Sequence, residues 1–256
     1  MENYLNMGIK AVIEEFPEIE SILTDYDIGC GPCMVGTCLL KDIVSIHSLP
    51  KPDEKELMER ISGVIINGSD SGKVNPENKT NKSISYSGPM QKLVDEHTLI
   101  KRWLALIPRV VEYIDLKTQS GKHIINDGID MIRSYADKFH HAKEEDILFK
   151  YFDESKEIIQ VMYKDHTKAR ALVQNMIKAL ESENKEQLSE NLLTYMDLLK
   201  QHIQKEDEIL YPWIDRELNE TKLVEMDAKF IEADKESGIA EKKYEDMIND
   251  LEKLIP

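Results

Sequence analysis

A histidine followed four residues later by a glutamate occurs twice in this chain, each time inside a strongly amphipathic stretch. The two stretches read HHAKEEDILF and HIQKEDEILYPW. Because positions i and i+4 share one face of an α-helix, His202 and Glu206 can reach the same point in space, and so can His140 and Glu144. A buried carboxylate requires a cation or a strong hydrogen-bond donor. The two pairs therefore predict a metal site between helices.

Apolar residues recur at helical spacing across residues 89–220 and divide into four long helices. The breaks fall at Thr118–Lys122, at Asp153–Ser155 and near Asn184. Connections this short favour antiparallel neighbours, so we predict an all-α, up-down four-helix bundle. Each helix carries one histidine within its apolar stripe, and these are His97, His140, His166 and His202.

The ordinary alternative for each histidine taken alone is a core residue satisfied by hydrogen bonds, since an unpartnered imidazole costs about 1–3 kcal/mol. Metal ligation would satisfy four imidazoles and two carboxylates together. The predicted ligands are His97, His140, Glu144, His166, His202 and Glu206. Helical register places His140 and Glu144 inside and leaves His141 and Glu145 on the solvated face as the alternative pair. Carboxylates able to bridge, with imidazoles, favour a non-haem pair of metal ions.

The bundle is flanked by two further segments. Residues 1–66 read as a small helical module, and residues 67–88 are so rich in Gly, Ser, Asn, Lys and Thr that they predict a flexible linker. Residues 221–256 form one or two amphipathic helices. This C-terminal extension could cover the bundle or form a dimer face, and the sequence does not choose between them.

All three cysteines lie in the N-terminal module, at Cys30, Cys33 and Cys38. Three closely spaced thiols do not make a disulfide framework. A Cys-x-x-Cys turn suits a redox disulfide, with Cys38 as a third ligand or resolving thiol. An iron–sulfur cluster would need one more ligand from outside or from a dimer. Three interpretations of these cysteines remain: redox thiols, thiols that bind a metal or a cluster, and inert thiols.

Charge and hydropathy restrict the partners. The 256 residues carry 33 Lys and Arg against 49 Asp and Glu, a formal net charge of -16. Binding to phosphate backbones rests on clustered cations, so nucleic acid is excluded as an expected partner. No stretch approaches about 18 consecutive apolar residues, and the N-terminus lacks the basic-then-apolar order of a signal peptide. We therefore expect a cytoplasmic protein that does not enter membranes.

The two histidine–glutamate stretches, with isolated His97 and His166 on the alternating helices, resemble the hemerythrin-like (HHE cation-binding) family over residues 89–220. The resemblance implies an up-down four-helix bundle that holds an oxo- or hydroxo-bridged pair of Fe ions on the six ligands named above. The chain is most similar to the repair-of-iron-centres subgroup, which carries a small cysteine-bearing N-terminal module of the disulfide-redox type.

One departure from the oxygen-carrying hemerythrins bears on function. Those proteins have a second histidine one turn from the first on the third helix, whereas here the positions around His166 are Met162, Tyr163, Ala169 and Arg170. The missing nitrogen leaves a coordination position that is open or filled by water, hydroxide or Tyr163. This pattern favours reaction over reversible oxygen carriage.

The resemblance thus implies a di-iron protein that binds or reacts with O2, NO or peroxide and acts in repair of iron–sulfur centres under oxidative or nitrosative stress. As an enzyme it would be a di-iron oxidoreductase reducing NO or peroxide. Its partners would be an iron–sulfur protein or an electron donor, and a second copy in a homodimer. The alternative is an oxygen, redox or iron sensor, or an iron store, without turnover.

Overall fold

The computed structural model describes five stretches of the chain: residues 2–26, 28, 38–46, 49–67 and 85–255. Within these stretches all regular structure is helical, apart from one isolated bridge between Gly8 and Leu39. The all-α prediction is confirmed. Cys30, Cys33 and most of the proposed linker lie outside the described residues, so those predictions stay predictions.

Twelve α-helices run through the described stretches. In chain order they are α1 Glu2–Leu5, α2 Ile9–Glu15, α3 Glu18–Thr24, α4 Ile43–Ile46, α5 Lys51–Asn67, α6 Gly88–Tyr113, α7 Gln119–Met131, α8 Glu157–Glu181, α9 Lys185–Lys205, α10 Tyr211–Glu217, α11 Glu220–Ser237 and α12 Glu241–Leu254. None of them is long and apolar enough to cross a membrane.

The chain divides into two compact units, Met1–Ser85 with Glu208–Glu217, and Tyr86–Asp207 with Leu218–Pro256. The first unit has a small core of aliphatic side chains from its short helices. Its backbone is tied where the Ile9 amide donates to the Cys38 carbonyl at 2.8 Å. Cys38 itself is buried, with 7% of its surface exposed.

The second unit contains the helical bundle formed by α6, α7, α8 and α9. The boundaries follow from local chemistry. Pro89 stands in the first turn of α6, where its missing N–H costs nothing. Thr118 and Asn184 cap α7 and α9 by accepting hydrogen bonds from backbone amides. The loops between consecutive helices are short, as the sequence predicted.

Two further helices belong to the same unit. Tyr244, Ile248 and Leu251 of α12 are buried in the hydrophobic core that the bundle helices share. Between the two helices, Gly238 takes the left-handed conformation (φ 60°) that ends α11. The C-terminal extension therefore covers the bundle, one of the two alternatives left open by the sequence.

The second bundle helix does not stay α-helical. After Met131 it continues as a π-helix over Ile132–His141 and again over Glu144–Leu148, and α9 likewise passes into a π-helix over Glu206–Leu210. Such wider turns are rare and concentrate at functional sites. They change which side chains face inward, because a count at 3.6 residues per turn no longer holds.

Candidate metal centre

The six predicted ligands meet at one end of the bundle, joined by a seventh residue. His97 and His166 lie near the start of α6 and α8, and the other ligands lie near the end of the second and fourth bundle helices. Their donor atoms form two clusters. The first cluster is His97, His140 and Glu206, and the second cluster is His141, Glu144, His166 and His202. All seven residues are buried.

The seventh residue, His141, corrects the sequence analysis. It was expected on the solvated face, but only 2% of its surface is exposed. The π-helical turns explain the error, because they bring His140 and His141 inward together. His141 stacks on His166, with 3.9 Å between ring centroids. Glu145 is only half-buried, and Glu144 lies inside as predicted.

The first cluster has a geometry that calls for a cation. The two Nε2 atoms of His97 and His140 face each other at 2.9 Å. Their Nδ1 atoms lie 2.7 Å from Asp207 Oδ1 and 2.8 Å from Glu96 Oε2. Since a carboxylate accepts, these contacts place the proton of each neutral imidazole on Nδ1 and a lone pair on each Nε2. When both rings are neutral, two facing lone pairs repel unless a metal ion lies between them; a proton on Nε2 of His97 would instead join the rings by a hydrogen bond.

The spacing itself fits a metal ion. Two nitrogen ligands at about 2.1 Å from an ion, with bonds near a right angle, stand about 3 Å apart. The second cluster repeats this spacing, because Nε2 of His166 lies 3.0 Å from Nε2 of His202. Nδ1 of His166 is held by Glu145 Oε1 at 2.6 Å. The imidazole and carboxylate donors of both clusters fit iron.

The two glutamates lie between the clusters. Glu206 directs Oε1 to Nε2 of His202 at 3.0 Å and Oε2 to Nε2 of His97 at 3.3 Å. Glu144 Oε2 is 3.4 Å from Nε2 of His166 and 3.8 Å from Nε2 of His140. Each carboxylate therefore reaches both groups of imidazoles.

A ring of outer carboxylates surrounds the clusters, and the sequence analysis missed it. Each of these carboxylates comes from one bundle helix and contacts the histidine of the next helix in chain order, the fourth closing back on the first. Each also pairs with a cation on the same helix as that histidine. The four sets are Glu96 with His140 and Lys143, Glu145 with His166 and Arg170, Asp165 with His202 and Lys205, and Asp207 with His97 and Lys101.

A signal for this ring is visible in the sequence. The helices α6 and α8 both carry an acidic residue, a histidine and, four residues on, a cation, in EHTLIK and DHTKAR. The second and fourth bundle helices carry HHAKEE and HIQKED. The outer carboxylates are the first residue of EHTLIK and of DHTKAR, and the last residue of HHAKEE and of HIQKED. The first and third bundle helices thus share one pattern, and the second and fourth share another. Only the antiparallel packing shows which carboxylate contacts which histidine.

Tyr163, expected as a candidate for the open position or as a nearby group, has other partners. Its hydroxyl donates to Glu154 Oε2 at 2.7 Å and lies 3.4 Å from the backbone carbonyl of Glu145. It therefore contacts the segment that carries Glu145. His141, and not Tyr163, is the residue that stands beside His166 in the second cluster.

The protonation of the metal-free clusters follows from burial and from neighbours. Burial, together with the neighbouring imidazoles, holds the pKa of His140 and His166 well below the usual value. Burial acts in the same direction on His202, but Glu206 and Asp165 outweigh it and raise the pKa of His202 to about 9. Glu206 stays ionised, because His202 outweighs burial and keeps its pKa well below the usual range. A bound metal ion must displace the His202 proton.

The fold and the site define a class: a helical bundle with buried imidazoles and carboxylates placed so that they could bind metal. Residues 89–214 match the family model of the hemerythrin HHE cation-binding domain. The resemblance seen in the sequence is confirmed to that extent. The repair-of-iron-centres subgroup and the redox nature of the N-terminal module stay predictions.

Two mycobacterial proteins are among the similar sequences. The uncharacterized protein Mb2018 of Mycobacterium bovis and the uncharacterized protein Rv1995 of Mycobacterium tuberculosis are each 21% identical to the chain over 150 residues, 55% of this chain and 58% of theirs. The chain thus spans little more than half the length of these relatives. No solved structure shows significant similarity to it.

Proposed function

We propose that the bundle holds a non-haem di-iron centre and that the protein binds or reacts with O2, NO or peroxide. The observation that carries the proposal is the position of Glu144 and Glu206, each of which lies between two separate groups of imidazoles. One metal ion would need only one such group. Two groups joined by two carboxylates suit a pair of ions a few ångströms apart.

Bound there, a pair of irons would supply two-electron redox chemistry toward a small oxygen- or nitrogen-containing ligand. The chain contributes the environment. Asp207, Glu96 and Glu145 hydrogen-bond Nδ1 of His97, His140 and His166, which fixes the orientation of these rings and raises their basicity as donors. Asp165 lies 3.7 Å from Nδ1 of His202 and acts on it through its charge. The ligand side chains are sealed from solvent, which limits leakage of protons and loss of reactive species to water.

We extend the proposal to the repair of iron–sulfur centres, with iron or electrons passing through the N-terminal thiols. Its support is the resemblance to the repair-of-iron-centres subgroup and the grouping of Cys30, Cys33 and Cys38 in the sequence. An iron–sulfur protein would be the partner, and the cytoplasm the place of action.

The number of irons per chain tests the centre. Protein purified without oxygen and loaded with Fe(II) is expected to hold two irons. The variant His97→Ala, which removes one imidazole of the first cluster, is expected to hold about one. The matched control is His123→Ala, because the side chain of His123 is 75% exposed and belongs to neither cluster. Less than one iron per chain in the unaltered protein contradicts the proposal.

Turnover separates reaction from sensing or storage. With a reductant present, the iron-loaded protein is expected to consume NO or peroxide repeatedly, and His97→Ala to lose that activity while His123→Ala retains it. Full iron loading without catalytic consumption would instead favour the sensor or storage alternative and remove the reactive part of the proposal.

A further inference from the structure

A cavity of about 220 Å³ opens beside the second cluster, between the π-helical segment Ile132–His141 and helices α8 and α9. His141 lies in its wall, together with Tyr195 and aliphatic side chains. Because His141 also belongs to the second cluster, a molecule in this cavity is separated from the metal position by one imidazole ring. The volume is several times the roughly 30 Å³ that one water molecule occupies in the liquid.

Tyr195 offers the cavity a hydrogen-bond donor. Only 1% of its surface is exposed, yet its hydroxyl makes no hydrogen bond with any of the residues described in the structure. Burial and the nearby Asp137 carboxylate hold the Tyr195 pKa far above its usual value, so the hydroxyl keeps its proton and can donate it.

The mouth of the cavity is positively charged. Arg133 and Lys138 line it, both are exposed, and neither forms an ion pair with another described residue. Arg170 also lines the cavity and is already bonded to Asp137 at 2.8 Å, so that carboxylate is offset. Because Arg170 also pairs with Glu145 at 2.8 Å, the cations not offset by a carboxylate here are Arg133 and Lys138, in a chain whose formal net charge is -16. A cleft of this sign concentrates anions against the field of the rest of the protein.

We propose that this cavity binds a small inorganic anion next to the metal centre, with Tyr195 as the buried donor and Arg133 and Lys138 attracting the anion at the mouth. The role of this anion rests on the proposed function. The anion would be a reactant or product of the centre, in addition to any neutral diatomic molecule. The anion site itself is built from residues that are not metal ligands, apart from His141.

Azide is a suitable probe, because it is small, singly charged and detectable by calorimetric titration. The expected result with the metal-loaded protein is one azide bound per chain, with Kd raised about tenfold in Tyr195→Phe, the loss typical of one hydrogen bond to a charged group. In the double variant Arg133→Gln with Lys138→Gln, Kd is expected to rise several-fold, and the dependence of Kd on salt to weaken.

The matched control for charge is Lys200→Gln, which removes an exposed, unpaired lysine of α9 outside the cavity and is expected to leave Kd unchanged. Equal azide affinity in the unaltered protein and all variants overturns the proposal, because azide would then bind elsewhere, as on the metal itself. Absence of azide binding in a protein that holds its metal also overturns it.

The metal content of each sample keeps this test apart from that of the proposed function. If the protein holds no metal, the di-iron proposal fails, and the same titration is run on the metal-free protein. Azide that still binds, and binds less tightly in Tyr195→Phe, supports the anion site by itself, whereas no difference between these two proteins overturns it.

Discussion

The position of one proton on each imidazole decides whether facing histidines can share a cation. In the first cluster, Glu96 and Asp207 hold Nδ1–H of His140 and His97, so the Nε2 lone pairs point inward. Without those carboxylates each ring could place its proton on Nε2 and form an ordinary hydrogen bond with its neighbour. The outer ring therefore favours metal binding by the cluster over a hydrogen bond between the two histidines.

Removing one outer carboxylate should weaken metal binding without touching a ligand. In Glu96→Gln the amide can still bond to Nδ1 of His140, but it no longer stabilises positive charge there, and Lys143 loses its buried partner. We expect metal affinity to fall about 10- to 100-fold, measured by competition with a chelator. Glu112→Gln, on the exposed face of the same helix, is the control. Unchanged affinity in Glu96→Gln would remove the positioning role of the outer ring.

The metal-free clusters should also make stability depend on pH in a definite direction. The folded-state pKa of His202, about 9, lies above the unfolded value of 6.5, so its contribution is present below pH 6.5 and is lost as the pH rises through 9. The raised pKa of His97 acts in the same sense, since Asp207 and Glu206 outweigh the effect of burial. The melting temperature of chelated protein is therefore expected to fall between pH 6.5 and 9.

Bound metal should remove this pH dependence, because His202 must be deprotonated to bind a metal ion. The metal-loaded protein is expected to show no such fall over the same range. A chelated protein whose melting temperature stays level or rises from pH 6.5 to 9 would mean that His202 is not held protonated by Glu206 and Asp165.

Residue by residue, helical spacing in the sequence predicted the buried positions of His140 and Glu144 but not that of His141. His140 and Glu144 could be assigned because i and i+4 share a face. His141 could not, because its burial depends on π-helical turns that no spacing rule anticipates. Two outer carboxylates, Glu96 and Asp165, directly precede a histidine in the sequence, and the other two follow a histidine by five residues. Each acts on the histidine of another helix, which only tertiary packing shows.

At the scale of the helix, α11 supplies a further carboxylate to one of the cations that pair with the outer carboxylates. Lys143 is 2% exposed and pairs with Glu96 on one side and with Asp234 of α11, at 2.8 Å, on the other. It also lies 3.6 Å from the ring centroid of Phe139. A buried ammonium needs such partners, so the C-terminal extension satisfies a charge that the four bundle helices alone would leave incompletely paired.

Close approach of α6 and α7 makes a glycine necessary in the second bundle helix. A Cβ built on Gly128 would lie 2.4 Å from the ring of Trp103, which is 1% exposed and cannot move aside freely. Gly128→Ala is therefore expected to lower the free energy of unfolding by about 1–3 kcal/mol, measured by chemical denaturation, although alanine is the better helix former.

The control for this substitution is Gly63→Ala in α5, where nothing lies within 4 Å of the added Cβ. There the helix propensity acts alone and the unfolding free energy should rise, by up to about 1 kcal/mol. Loss of stability in Gly63→Ala similar to that in Gly128→Ala would show that the Trp103 contact is not the cause.

For the molecule as a whole, helical periodicity and break residues were enough to predict the bundle and its loops. They could not place the C-terminal helices, because an amphipathic pattern predicts that the apolar face is buried but does not identify the surface that buries it. The sequence predicted a boundary at the linker but gave no sign that a later segment groups with the N-terminal residues. Glu208–Glu217 groups with the N-terminal residues although it directly follows the last ligand helix, and contacts distant in sequence leave no periodic trace.

Metal binding should stabilise the entire second unit, because the clusters join all four bundle helices. A ligand present at 100 times its Kd adds about 2.7 kcal/mol when it binds only the native state. For a chain of this size that is expected to correspond to a melting temperature about 5–10 °C higher than that of chelated protein. The thermal transition, followed by circular dichroism at 222 nm with and without chelator, measures the difference.

The double variant His97→Ala with His202→Ala removes one imidazole from each cluster, so chelator is expected to leave its melting temperature unchanged. His123→Ala keeps both clusters and should respond to chelator as the unaltered protein does. If chelation left the melting temperature of the unaltered, metal-loaded protein where it was, the buried histidines would be packing residues, and the facing Nε2 atoms would be joined by a proton rather than by a metal ion.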